Sequence, residues 1–242
     1  MIPKIELLVR WERVLNFMRL KLSILTMFVF SAAALYAQDS ETHLPVTLGV
    51  MVGVPITDMF SASNTTAFDN SIPNSPYTSA TPRYELGVSG EINLVKHLRL
   101  EVDGIWRRAG FATSGLYGLT GSDFYSTVRL NEWEVPALVK TNITLGHLRP
   151  FVEVGASLRH ISGIQNDEFL PVLAYGITTN STDALQNRNS FGGVAGFGIT
   201  FKKGSVEISP EVRYTRWANE SFEATGLRTN LDQGDALLGI SF

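Results

Sequence analysis

The chain has 242 residues, a formal net charge of −3 and 18% charged residues, below the roughly 25% of an ordinary soluble domain. It has no cysteine, which excludes disulfides, a thiolate zinc site and a lipid-modified N-terminal Cys. Its charges are spread along the chain and form no basic footprint, so no nucleic-acid partner is expected.

The N-terminus reads as an address. Arg19 and Lys21 precede an apolar run over 22–35. Ala37 then offers a small residue at a cleavage point, before polar Gln38, Asp39 and Ser40. A positive start, a short apolar run and a small-residue site make a secretory signal peptide. The run is about 14 residues, short of the roughly 20 that cross a bilayer as a helix. Met18 stands just ahead of this signal. Residues 1–17 are therefore either an upstream extension from a misplaced start codon or a real N-terminal helix. Residues 1–37 are assigned to extension and signal, and 38–242 to one domain. No later stretch suits a transmembrane helix, so membrane entry requires a closed sheet, which satisfies every backbone polar group in lipid.

Beyond Gln38 the apolar residues recur with a period of two. Eight segments show it. In 45–56, Val46, Leu48, Val50, Val52, Val54 and Ile56 share one face. In 83–94, Tyr84, Leu86, Val88, Ile92 and Leu94 oppose Glu85 and Glu91. In 98–108, Leu98, Leu100, Val102 and Trp106 oppose Arg99, Glu101, Asp103 and Arg107. In 127–143, Trp133, Val135, Ala137, Val139 and Ile143 oppose Glu132, Glu134 and Lys140. In 149–161, Val152, Val154, Ala156 and Leu158 oppose Glu153, Ser157 and Arg159. In 188–201, Phe191, Ala195, Phe197, Ile199 and Phe201 oppose the nearly bare Gly192, Gly196 and Gly198. In 205–217, Val206, Ile208, Val212 and Tyr214 oppose Glu207, Glu211 and Arg213. The eighth, 231–242, ends on Phe242.

Each segment has the roughly ten residues that a tilted strand needs to cross a bilayer. The connections alternate between short turns at 95–97, 145–147 and 202–204 and long polar stretches at 57–82, 110–126, 162–187 and 218–230. Short periplasmic turns and long extracellular loops are the habit of bacterial barrels, and both chain ends then fall on the periplasmic side. Asn64, Ser71, Pro73, Asn74, Ser75, Pro76 and Ser79 give the first loop a mobile composition.

The polarity of the two faces selects the solvent. Lipid accepts the apolar set, whereas one Lys or Arg at the midplane costs about 2–4 kcal/mol. A soluble lipocalin-like barrel would put the apolar face inside. The charged set, Glu85, Glu91, Arg99, Glu101, Asp103, Arg107, Glu132, Glu134, Lys140, Glu153, Arg159, Glu207, Glu211 and Arg213, is therefore expected inside as an ion-pair network that plugs the barrel. Its acidic excess leaves a narrow cation-favouring path as an alternative. Trp106, Trp133, Tyr214, Trp217, Tyr84 and Phe242 are expected as headgroup-level aromatics.

Glu132-Trp133-Glu134-Val135-Pro136-Ala137-Leu138-Val139-Lys140 resembles the L-E-I-P-L-L-L-K-Y strand of the outer-membrane β-barrel proteins related to PorT. Arg149-Pro150-Phe151-Val152-Glu153-Val154-Gly155-Ala156-Ser157 resembles that family's following x-P-Y-x-x-x-G-x-S strand. Gly239-Ile240-Ser241-Phe242 resembles the insertion signal, ending on Phe242, that the barrel-assembly machinery reads. The resemblance covers 38–242 and extends in architecture to the OmpA transmembrane domain, without its peptidoglycan-binding part. It implies a Gram-negative outer-membrane protein that is specific in barrel type and open in activity.

Catalytic chemistry is sparse. His160-Ile161-Ser162 is similar to the His-x-Ser of the lipid A 3-O-deacylase family, with Glu168 as the only nearby acid. Gly163 stands where that family has Asn, and Glu168 is too near in sequence for its acid. An interfacial His is the blander reading. Asp167-Glu168 lacks the accompanying His that an omptin-type protease requires. His43, His97, His147 and His160 are scattered without metal-ligand spacing, so no metal or cofactor is expected. The sequence thus predicts an all-β, eight-stranded antiparallel up-and-down transmembrane barrel in the outer membrane. It would act as a structural, adhesive or ligand-binding surface protein, with a small-solute or ion channel and a lipid A-modifying enzyme as alternatives. Expected partners are outer-membrane lipids, the assembly machinery and an extracellular ligand at the long loops.

Overall fold

The computed structural model describes residues 46–62, 77–95, 97–117, 122–143, 145, 148–171, 175–224 and 227–242. The expected extension and signal over 1–37, and the first-loop residues from Asn64 to Pro76, lie outside them. The described residues hold β1 (Val46–Pro55), β2 (Phe60–Ala62), β3 (Tyr77–Ser79), β4 (Glu85–Val95), β5 (Leu98–Tyr117), β6 (Ser122–Asn142), β7 (Leu148–Leu170), β8 (Tyr175–Thr179), β9 (Asn189–Lys203), β10 (Val206–Trp217), β11 (Glu223–Ala224), β12 (Leu227–Thr229) and β13 (Asp232–Ser241).

Eight of these strands close on themselves. β1, β4, β5, β6, β7, β9, β10 and β13 each pair antiparallel with the next, and β13 returns to β1 with Val52 opposite Leu238. Closure removes every open edge within the ring, which is the condition for exposing a sheet to lipid. The last residue completes the seam: the Phe242 N–H donates to the Leu48 carbonyl at 2.9 Å.

The outer face of the ring is apolar, with Val46, Leu48, Val50, Val52, Val54, Val88, Val152, Val154, Phe191 and Phe197 all exposed. In water such a surface would be an aggregation hazard, whereas against acyl chains it is the required coat. Tyr84, Trp133 and Tyr214 ring its long-loop rim on the outside, and Trp106 lies directly opposite Trp133 across β5 and β6. Trp217 departs from the expected belt. It is 1% exposed and points into the lumen, because on β10 it shares the odd-numbered face with Glu211 and Arg213.

Three strands run far beyond a membrane-crossing length. β5, β6 and β7 have 20, 21 and 23 residues. Much of 110–126 and 162–187, expected as loop, is therefore strand. The projecting parts carry β3 along β5 and β8 along β7, forming one continuous ribbon. A bulge bends β7 as it leaves the ring: Asn131 pairs with Ser162 but Arg129 pairs with Gln165. Gly163 takes the extra position at φ +57°, a backbone state that glycine adopts without strain. The loops over 57–82 and 218–230 are also partly ordered, since β2, β12 and β11 form a small separate sheet.

Candidate functional site

The lumen is the first candidate. All fourteen charged residues expected inside are buried and lie on the inward face of β4, β5, β6, β7 or β10. They form tiers along the axis. Nearest the short turns, the Arg99 guanidinium reaches Glu91 at 2.7 Å and Glu207 at 3.2 Å. Glu207 is also met by the rim cations Arg149 and Lys202. In the next tier Arg213 contacts Glu101, Asp103, Glu153 and Glu211 at 2.5–2.8 Å. Lys140 enters the same group, paired with Glu101 and lying 3.1 Å from Glu91 and 3.6 Å from Glu153. Glu91 thereby ties the two tiers together.

Glu101, Glu153 and Glu211 bring carboxylate oxygens within 4.8 Å of one another, a geometry that resembles a cation site. The Lys140 ammonium and Arg213 guanidinium already supply that positive charge. A buried carboxylate triad without them would carry an uncompensated charge.

A partial apolar layer of Met51, Ile105 and Leu237 follows. Above it Arg107 reaches Glu132 at 2.6 Å, Asp235 at 3.3 Å, Glu134 at 3.4 Å and Glu85 at 3.5 Å. Arg159 shares Glu132 at 2.6 Å and lies over the Trp217 ring at 3.8 Å. Gln233 knits this tier. Its oxygen accepts from Arg107, Arg159 and the Trp217 indole, and its amide donates to Glu134 and Asp235.

Asp235, Gln233 and Trp217 were not among the residues expected in the network. They complete the upper tier, and Asp235 brings the buried carboxyls among the described residues from nine to ten, against five buried cations. Glycines on β9 and β1 make the space. A Cβ on Gly196 of β9 would stand 2.5 Å from a Glu153 oxygen, and one on Gly53 of β1 would stand 2.7 Å from Glu85.

The lumen changes character at the level of the aromatic rim. Met59, Phe60, Ala109, Phe111, Val128, Leu130, Ile161, Ile164, Ala184, Phe222 and Leu227 form one buried apolar cluster. Phe60, Phe111 and Phe222 meet edge to face at centroid separations of 5.1–6.0 Å. The β2–β12–β11 sheet supplies the lid and the projecting β5–β6–β7 ribbon the wall. Polar anchors hold the lid: the Thr229 hydroxyl bridges the Phe222 backbone, and Asn230 donates its N–H to the Met59 carbonyl.

The residues of the lipid A-enzyme alternative do not assemble into a catalytic set. His160 is exposed and its Nδ1 lies 2.7 Å from the Asn189 amide oxygen. Glu168 accepts instead from Asn166 at 2.8 Å. The two are eight positions apart on β7, about 25 Å at strand rise. Among the described residues no carboxylate orients His160.

Residues 36–218 match the family model described as outer membrane protein beta-barrel domain. A comparison with curated proteins finds no match. Among solved structures the chain is similar to OprG from Pseudomonas aeruginosa, at 10% identity and a TM-score of 0.49, covering 81% of this chain and 94% of that one. It is similar to Neisserial surface protein A at 12% identity and a TM-score of 0.42, covering 81% and 94%. It is likewise similar to the attachment invasion locus protein Ail of Yersinia pestis, at 9% identity and a TM-score of 0.39, covering 81% and 97%.

Proposed function

Since the chain belongs to the outer membrane protein β-barrel domain family, we propose that it works as a plugged barrel whose long-loop end carries the function. In this reading it is a scaffold that presents a ligand-binding or adhesive surface, and solutes do not pass through it. The observation that carries the reading is the filled lumen. Arg107, Lys140 and Arg213 each meet acids from more than one strand, Arg159 shares Glu132 with Arg107, and an apolar cluster lies above them. Eight strands enclose little more than the side chains that fill them. Opening a path would break buried ion pairs at several kcal/mol each.

Short turns face the periplasm in barrels of this kind, so the projecting ribbon and its lid face outward from the cell. Outer-membrane lipids would cover the apolar band. The assembly machinery would read the end of β13 at Phe242. The reading includes no catalysis, in keeping with a His160 that has an amide and no acid beside it.

One observation favours a second reading, a narrow cation path: among the described residues the buried carboxyls outnumber the buried cations by ten to five. Purified protein in planar bilayers separates the two. The plugged scaffold gives no large, stable conductance. A large conductance overturns it, and a small cation-selective current supports the second reading.

A further inference from the structure

Beside the apolar cluster, at the long-loop end, the barrel mouth holds a cavity of about 780 Å³. That volume lies within the roughly 300–1,000 Å³ range of small-molecule sites. Its wall comes from β5, β6, β7 and β8 and from residues 181–184, and Phe111, Val128 and Ala184 give it an apolar floor. A greasy floor in a mouth open to water favours a ligand with a hydrocarbon or aromatic body.

The polar groups around that floor have one sign. Glu168 and Asp183 line the cavity, and neither Lys nor Arg does. Glu168 is held in place by a relay: the buried Ser126 hydroxyl donates to the Asn166 amide oxygen at 2.8 Å, and the Asn166 amide donates to one Glu168 oxygen at 2.8 Å. The second Glu168 oxygen stays available. Asp183 makes no hydrogen bond or ion pair with any described residue. On the β5 wall the Thr113 hydroxyl is shielded from solvent and has no hydrogen-bond partner among the described residues. Tyr77 places an aromatic ring beside the same space, 5.8 Å from the Phe111 ring between centroids.

We infer that this cavity binds a small amphipathic organic cation, with its amine at Glu168 and Asp183 and its apolar body on Phe111 and Tyr77. The inference rests on the surface-binding reading above and names the ligand class for it. An anion entering here would meet two carboxylates with no cation to balance them. A neutral apolar ligand would strip water from Glu168 without replacing its hydrogen bonds, an unfavourable exchange. A cation gains both carboxylates and the face of the Tyr77 ring.

The test uses the full chain in lipid nanodiscs, with empty nanodiscs as the blank. Calorimetric titration with 4-phenylbutylamine, 4-phenylbutanol and 4-phenylbutyrate varies charge on one body. The amine is expected to bind about tenfold or more tighter than the alcohol or the acid, the scale of one charged hydrogen bond. The combined E168Q and D183N variant should lose that advantage while keeping the alcohol's affinity and the heat-dependent gel shift of a folded barrel. Tyr77→Ala should weaken all three ligands. Equal binding of the butyrate, unchanged amine affinity in the double variant, or no amine binding overturns the inference. Conductance is read on the same preparation, so failure of the ligand class and failure of the plugged-barrel reading remain distinguishable.

Discussion

The membrane-crossing and projecting halves of β6 and β7 use the same alternation with opposite polarity. In the crossing half, Val135, Val139, Val152, Val154 and Leu158 face out, while Glu134, Lys140, Glu153 and Arg159 face in. In the projecting half, Arg129 and Asp167 face out and pair at 3.1 Å, while Val128, Leu130, Ile161 and Ile164 face in. The change falls at one level across neighbouring strands: Arg107 to Ala109, Glu132 to Leu130, Arg159 to Ile161. The β5–β6 pairing continues through it without a shift, so hydrogen bonding does not set the polarity. The surroundings do. Where lipid covers the outside, polar groups must go inside and satisfy one another; where water covers it, the hydrophobic effect restores an apolar interior.

The largest way to break this contrast is to orphan charges in the crossing half. Arg107→Ala leaves Glu85, Glu132, Glu134 and Asp235 without their shared cation. Removal of one buried partner costs about 3–5 kcal/mol, read from denaturant unfolding of the barrel in lipid. Arg129→Ala, which removes a pair on the water-facing side with Arg129 64% exposed, should leave that free energy unchanged. Phe222→Ala acts on the other half. It empties a fully buried ring site, a change worth about 3–5 kcal/mol in packed cores. Amide exchange should accelerate in β2 and β12, while the ring strands keep their protection.

A smaller effect sharpens the level of the switch. Val154→Arg puts a cation on the lipid face and should cost about 2–4 kcal/mol. Gln165→Arg, on the same strand past the Gly163 bulge, should be neutral. The smallest effect is a titration. The Thr178 hydroxyl, then the Gln165 amide and the Arg129 charge, hold the Asp167 carboxyl below its ordinary value. This lowering contributes stability above the ordinary carboxylate range that is lost as pH falls through the depressed folded value. Carboxyl-resolved NMR should find the Asp167 midpoint low, and Thr178→Val should move it upward.

The crossing strands were legible because each keeps a strict period of two from end to end, with charge confined to one face. The projecting halves were not. Residues 110–126 and 162–187 carry Gly110, Gly115, Gly118, Gly163 and Gly176 among polar residues, a composition that reads as loop. The Gly163 bulge also flips the parity of β7, so Ile161 and Ile164 share a face that simple alternation separates. Asp235 and Gln233 stand apart from the expected network because the last strand is dominated by its apolar end at Phe242. Their signal was nonetheless present, since they share odd-numbered parity with Leu237. The same parity places Trp217 inside with Arg213, against its look of a belt residue. The apolar lid joins residues from Met59 to Leu227, and contacts that distant leave no local periodicity to read.

A residue-resolved map of lipid contact tests the inversion most directly. In nanodiscs with protonated lipid and deuterated protein, NMR cross-peaks from acyl chains should reach the amides of Val50, Val88, Val154 and Phe197. They should stop at Trp133 and be absent from the equally exposed Tyr125 and Phe169. Acyl contacts at Tyr125 and Phe169, or none at Val154, would contradict a lumen that is ionic within the bilayer and apolar above it.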